Sequence, residues 1–123
     1  MAKKILLIED YEATVEMLTS ILELNGYEVE VAGDGPSGLK KAVSARPALI
    51  LLDIMLPQMS GIEVCQKLKI DPKTKQIPVI IVSVKAANED VKKGLACGAD
   101  EYVIKPFDPY DLIEKVKKHI EAN

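Results

Sequence analysis

The sequence predicts an α/β fold, a doubly wound five-stranded parallel sheet with helices on both faces. Segments of strand character alternate with segments of helical periodicity five times along the 123 residues. The third and fourth strand candidates are continuous apolar runs without alternation, as expected of parallel strands covered on both sides. No internal repeat, low-complexity stretch or linker breaks the pattern, so residues 1–123 read as one domain with right-handed crossovers. A chain of this length hides roughly two thirds of the surface its unfolded form exposes.

The first strand, Lys4–Ile8, is nearly all apolar. It leads to a helix over about Tyr11–Asn25, with Val15, Leu18, Ile21 and Leu22 at helical spacing and Gly26 placed to end it. The second strand, Tyr27–Ala32, alternates Tyr27, Val29 and Val31 with Glu28 and Glu30, the pattern of an edge strand with one partly wet face. Asp34-Gly35-Pro36 opens the second helix and Arg46-Pro47 closes it. Ala48–Leu52 is the third strand, and Ser60-Gly61-Ile62-Glu63 forms a capping box that starts the third helix. The charged loop Ile70–Gln76, with Pro72, reads as a solvated turn. Val79–Val82 is the fourth strand, followed by a weaker helix over about Asn88–Cys97 that contains Gly94 and stops at Gly98. After the fifth strand, Tyr102–Ile104, Asp108-Pro109 opens a last helix with the core stripe Leu112, Ile113, Val116 and Ile120. Its acids, Asp108 and Asp111, and its later bases, Lys115, Lys117, Lys118 and His119, suit the helix dipole.

Composition narrows the function classes. Apolar residues make up 48% and charged residues 28%, the balance of a soluble globular chain. The apolar runs Ala48–Leu52 and Pro78–Val82 fall far short of the ~20 residues that cross a bilayer. Met-Ala-Lys-Lys leads into a strand and not into a signal-peptide core, so a cytoplasmic location without membrane contact is expected. A net charge of −3 argues against direct binding of nucleic acid. Cys65 and Cys97 have neither metal-ligand spacing nor the look of a disulfide framework, and are expected to be reduced, partly buried thiols.

In an open α/β sheet, ligands bind outside the carboxyl ends of the strands. Strand one ends in Glu9-Asp10, strand three in Asp53, strand four in Ser83 and strand five in Lys105; strand two ends blandly in Gly33-Asp34. Singly, each has an ordinary structural explanation, a helix cap for Asp10 or a strand-end hydroxyl for Ser83. Their coincidence at four strand ends points to a site. Strands lie about 4.8 Å apart, so acids ending neighbouring strands repel unless a cation sits among them. A hard divalent ion such as Mg²⁺ suits oxygen donors and a phosphoryl group; zinc would want histidine or thiolate. One carboxylate can then act as a nucleophile that takes a phosphoryl group, with the Lys105 charge and the Ser83 hydroxyl on its oxygens. No strong general base is in the set, so the group should be held and not turned over rapidly.

These residues resemble the motif set of response regulator receiver domains of two-component signalling, the CheY-like family, over essentially the whole chain. Glu9-Asp10 is similar to the family's acidic pair, and Leu51-Leu52-Asp53-Ile54-Met55-Leu56-Pro57 with Ser60-Gly61 to its phosphorylation loop. Ser83, Lys105-Pro106 and Gly98-Ala99-Asp100-Glu101-Tyr102 complete the set. The resemblance implies a flavodoxin-like (βα)5 fold with strand order 2-1-3-4-5. It implies that Asp53 accepts a phosphoryl group from a histidine kinase or histidine phosphotransfer protein. Mg²⁺ (or Mn²⁺) would be held by Asp10, Asp53 and the Met55 backbone carbonyl, with Glu9 acting largely through water. Ser83 and Lys105 would grip the phosphoryl group, and a cis peptide before Pro106 would aim the lysine. Ser83 and Tyr102 would form a switch that alters the surface of the fourth helix, fifth strand and fifth helix for a downstream protein target or an output domain. The chain would then be no enzyme beyond its own phosphorylation and slow dephosphorylation, working as a monomer or a phosphorylation-linked dimer. Whether it is free-standing or cut from a longer regulator is open.

Two positions depart from the family's common pattern. Tyr11 follows the acidic pair where an acid or amide is frequent, and Val84 follows Ser83 where a small residue is usual. Val84 is expected to narrow access to Asp53. The rival readings fit less well: a flavodoxin needs a Ser/Thr/Gly-rich phosphate loop where Asp10-Tyr11-Glu12-Ala13 stands, and a haloacid-dehalogenase-type phosphatase needs an aspartate where Glu12 stands. A receiver used as a phosphorylation-independent interaction module is the third rival, disfavoured by the intact acceptor set.

Overall fold

The structure, a computed structural model, describes residues 2–121. Five strands, β1 (Lys4–Ile8), β2 (Glu28–Ala32), β3 (Leu49–Leu52), β4 (Val79–Ser83) and β5 (Glu101–Ile104), alternate with five helices. These are α1 (Glu12–Leu24), α2 (Gly35–Ala45), α3 (Gly61–Ile70), α4 (Asn88–Ala96) and α5 (Pro109–Glu121). All neighbouring strands are parallel, in the order β2-β1-β3-β4-β5. The doubly wound sheet and its order are therefore as expected, with β2 at one edge.

Element ends move by a residue for identifiable reasons. Tyr27 falls outside β2 because its amide bonds back to Leu22 O of α1 at 3.1 Å. Ser83 belongs to β4 because it pairs with Ile104, and Glu101 to β5 because it pairs with Ile80. The caps are those legible in the sequence. Asp34 accepts from Ser37 N–H at 2.8 Å, and Ser60 from Glu63 N–H at 3.3 Å.

Alternation along the inner strands divides the core between the two faces. Leu6, Ile8, Ile50, Leu52, Val79 and Ile81 pack with Ala42, Val64, Cys65, Leu68 and Cys97 on the side of α2, α3 and α4. Ile5, Leu7, Leu49, Leu51, Ile80 and Val82 pack with Leu18, Leu22, Leu112, Ile113, Val116 and Ile120 of α1 and α5. Each inner strand must therefore be apolar at every position, since it is covered twice. That rigid sheet carries the polar residues at its carboxyl ends.

Candidate functional site

Strand register assembles the rim. Ile8 pairs with Leu52, so the residues that follow, Glu9 and Asp53, leave the sheet side by side. The Asp53 amide prolongs the ladder by bonding to Ile8 O at 3.1 Å. Ser83 ends β4 opposite Ile104, and the Lys105 amide bonds to Ser83 O at 2.9 Å. The Lys105–Pro106 peptide is cis.

Glu9 is 2% exposed, Asp53 8% and Ser83 0%, while Asp10 stands in solvent. Carboxylate oxygens of Glu9, Asp10 and Asp53 all lie within 4.8 Å of one another. Lys105 reaches into this group, its Nζ 2.8 Å from Glu9 Oε1 and 3.3 Å from Asp53 Oδ2. The second Glu9 oxygen accepts from Tyr11 N–H at 3.2 Å, and Asp53 Oδ1 accepts from Met55 N–H at 3.2 Å. Burial pushes the Glu9 carboxyl up; the Lys105 hydrogen bond opposes that shift and the charge of Asp53 reinforces it. Burial works against the Lys105 ammonium, but the contacts with Glu9 and Asp53 outweigh it and raise its pKa overall. Three acids against one ammonium leave surplus negative charge, which suits a hard cation with oxygen ligands.

The remaining residues singled out in the sequence lie around this cluster. Ser83 Oγ accepts from Lys85 N–H at 3.3 Å. Met55 meets Asp53 through its amide while its side chain is exposed. Tyr102 is half-buried, donates its hydroxyl to Lys85 O at 2.6 Å and lays its ring against α4. A Cβ at Gly94 would come within 2.6 Å of Tyr102 Cδ2, so a side chain there would displace the ring.

Sequence reasoning missed three features. Lys105 approaches Glu9 more closely than it does Asp53, a preference that depends on rotamers and leaves no trace in spacing. Gly61 sits beneath the Asp53 loop, where a Cβ would overlap the Asp53 carbonyl oxygen and come within 2.6 Å of Ile54 Cα; the capping box marked Ser60 but not that approach. Cys65, in α3, and Cys97, just after α4, meet in the core, and no local motif signals it.

A family model described as the response regulator receiver domain matches residues 5–117. The chain belongs to this family. Among curated relatives, this receiver is 40% identical over 123 residues to the DNA-binding response regulator MtrA of Mycolicibacterium smegmatis, all of this chain and 53% of that protein. The chain thus spans about half the length of the curated relatives it matches. Among solved structures, a CheY-like response regulator receiver domain protein from Methanospirillum hungatei JF-1 has a TM-score of 0.89 and 37% identity, over 99% of this chain and 96% of the other. The receiver domain of the sensor histidine kinase PA1611 from Pseudomonas aeruginosa PAO1, described with a magnesium ion coordinated in its active-site cleft, has a TM-score of 0.92 and 26% identity, covering 98% and 99%. The receiver's fold and its acidic rim are thus features of a signalling family and not of a conventional enzyme.

Proposed function

We propose that residues 1–123 form a receiver unit that takes a phosphoryl group onto Asp53 from a phosphohistidine donor, a histidine kinase or a phosphotransfer protein. The observation that carries this reading is the placement of Asp53 among Glu9, Asp10 and Lys105 at the carboxyl rim of the sheet. A carboxylate oxygen of Asp53 attacks phosphorus, the phosphorus–nitrogen bond of the donor breaks, and an acyl phosphate remains on the aspartate.

The donor set fits Mg²⁺ (or Mn²⁺): its acids are hard oxygen ligands whose oxygens lie within 4.8 Å of one another. Asp10, Asp53 and the Met55 carbonyl would hold the ion, with Glu9 acting through water. When bound, the ion supplies positive charge to the oxygens of the transferred group. Lys105 supplies a second positive charge, leaving Glu9 in favour of the phosphoryl oxygens, and the Ser83 hydroxyl donates to a third oxygen. Phosphorylation adds roughly 1.5 to 2 negative charges. Ser83 turning toward that charge frees space behind it for Tyr102, and the α4–β5–α5 surface changes its affinity for a protein target or an output domain.

The test is incubation with Mg²⁺ and acetyl phosphate followed by intact-mass measurement. One added phosphoryl group, lost in Asp53→Asn and without Mg²⁺, is expected. A wild-type mass that stays unchanged would leave only the phosphorylation-independent module.

A further inference from the structure

We propose that Cys65 and Cys97 form a peroxide-oxidisable dithiol, whose disulfide would tie α3 to the end of α4. The two residues are 32 positions apart, yet the Cys65 thiol donates to Cys97 O at an Sγ–O distance of 3.6 Å. The Cys97 thiol donates to Gly94 O at 2.9 Å, a proton it must give up before it can attack, and both thiols belong to one buried cluster. Cys65 sulfur already lies against the Cys97 backbone, so a disulfide needs only a shift that brings sulfur to sulfur. Helix α4 can supply that shift, since Gly94 is the one buried residue among its nine.

The two sulfurs are unequal. Cys65 is fully buried, whereas Cys97 is 9% exposed and follows the last turn of α4, where a small oxidant can reach it. The hydrogen bond from Cys65, against the opposing effect of burial, and further bonds from the Ala99 and Cys97 amides hold the Cys97 thiol down to about 7. Its interaction with Cys97, together with burial, pushes the Cys65 thiol up. Cys97 is therefore the nucleophile and Cys65 the resolving thiol. The Cys97 thiolate attacks one oxygen of hydrogen peroxide, the O–O bond breaks, and hydroxide leaves to take a solvent proton. Cys65 sulfur then attacks the sulfenic sulfur; the S–S bond forms, and the sulfenic oxygen departs as water with the Cys65 proton. Two thiols are oxidised and one peroxide is reduced.

Nothing in this proposal depends on phosphorylation, and its readouts are those of sulfur. The full chain is treated with a small excess of hydrogen peroxide under native conditions, unfolded, alkylated and weighed. The expected product has lost two hydrogens, takes up no alkylating agent and yields a Cys65–Cys97 cross-linked peptide, reversed by dithiothreitol. Its rate of formation should rise about tenfold per pH unit below about 7 and level off above. In Cys65→Ser the reaction should stop at a sulfenic acid trapped by dimedone at Cys97. Two alkylatable thiols, oxidation of wild-type Cys97 beyond sulfenic acid without a cross-link, or cross-links between chains only would each overturn the proposal. The wild-type result stands by itself if the variant fails to fold.

Discussion

Lys105 Nζ and Glu9 Oε1 are 2.8 Å apart, closer than Lys105 is to Asp53 at 3.3 Å. The lysine therefore neutralises the most deeply buried acid of the rim, and on the proposed function phosphoryl oxygens at Asp53 would have to draw it away. Replacing Lys105 by Met separates these roles. Glu9 would be left buried without its cation, a loss of about 2–3 kcal/mol in stability, limited because the carboxyl escapes by taking up a proton. Removing a competing ammonium should tighten Mg²⁺ binding several-fold while phosphorylation from acetyl phosphate falls at least tenfold. Urea unfolding, Mg²⁺ titration and mass measurement check the three effects. Weaker Mg²⁺ binding in Lys105→Met would refute the competition.

Metal binding should itself stabilise the fold. A ligand that binds only the native state at 100 times its Kd adds about 2.7 kcal/mol. Mg²⁺ is expected to raise the Tm of the wild type and to do so far less in Asp10→Asn, because Asp10 is the exposed acid of the cluster and its loss leaves the Lys105 contacts in place. Without Mg²⁺ the same substitution removes repulsion, so its Tm should equal or exceed that of the wild type. A large drop would show that Asp10 serves the fold instead.

Two carboxyls should bend the acid limb of stability in opposite directions. The hydrogen bond from His119 holds Glu101 below the usual range, against burial and with help from Lys118. A lowered folded pKa gives stability that is present above the unfolded value, near 4.5, and lost as pH falls through the folded value. Glu9 is raised, chiefly by burial, so the folded state binds its proton more readily and gains on acidification from above. Urea midpoints against pH should therefore fall less steeply toward acid in Glu101→Gln and more steeply in Glu9→Gln. The same direction of change in both variants would contradict this balance.

Much of this was legible from the chain because the signals were local or geometric. Uninterrupted apolar runs at Ala48–Leu52 and Pro78–Val82 marked strands covered twice, and the alternation in Tyr27–Ala32 marked an edge. Since parallel strands place their carboxyl ends on one rim, Glu9, Asp53, Ser83 and Lys105 could be brought together without coordinates. What stayed hidden depends on packing between distant segments. The contact of Gly94 with the Tyr102 ring, the approach of Gly61 to the Asp53 loop and the meeting of Cys65 with Cys97 each join residues from different elements. No periodicity or cap encodes such contacts.

Val84 offers a kinetic test of site access. It is 58% exposed, directly follows Ser83, and shares the wall of a cavity of about 360 Å³ with Met17, Lys105, Pro106 and Phe107. On the proposed function, an acyl phosphate that enters on the Lys105 side of the site would pass the valine methyls. Val84→Ala should speed phosphorylation by acetyl phosphate several-fold with little change in stability, as expected for an exposed position. Equal rates would discard the access argument.

The seat of Tyr102 against α4 gives the most discriminating prediction. Adding a methyl at Gly94 gains up to about 1 kcal/mol in helix propensity, but the Cβ would lie 2.6 Å from Tyr102 Cδ2 and 3.0 Å from Ile81 Cδ1. Overpacking of that kind costs about 1–3 kcal/mol, so Gly94→Ala should be net destabilising by about 1 kcal/mol. Ile81 is locked in the sheet, so the tyrosine ring is the group that can yield, losing its 2.6 Å hydrogen bond to Lys85 O. Tyr102→Ala should then rescue much of the Gly94→Ala penalty, a coupling that a double-mutant cycle in urea reads directly. If the ring's position is the switch, Gly94→Ala should also bias the α4–β5–α5 surface without phosphate, visible as altered tyrosine fluorescence in the Asp53→Asn background. Additive stabilities together with an unchanged spectrum would mean that Gly94 serves only the helix and that Tyr102 is not seated by it.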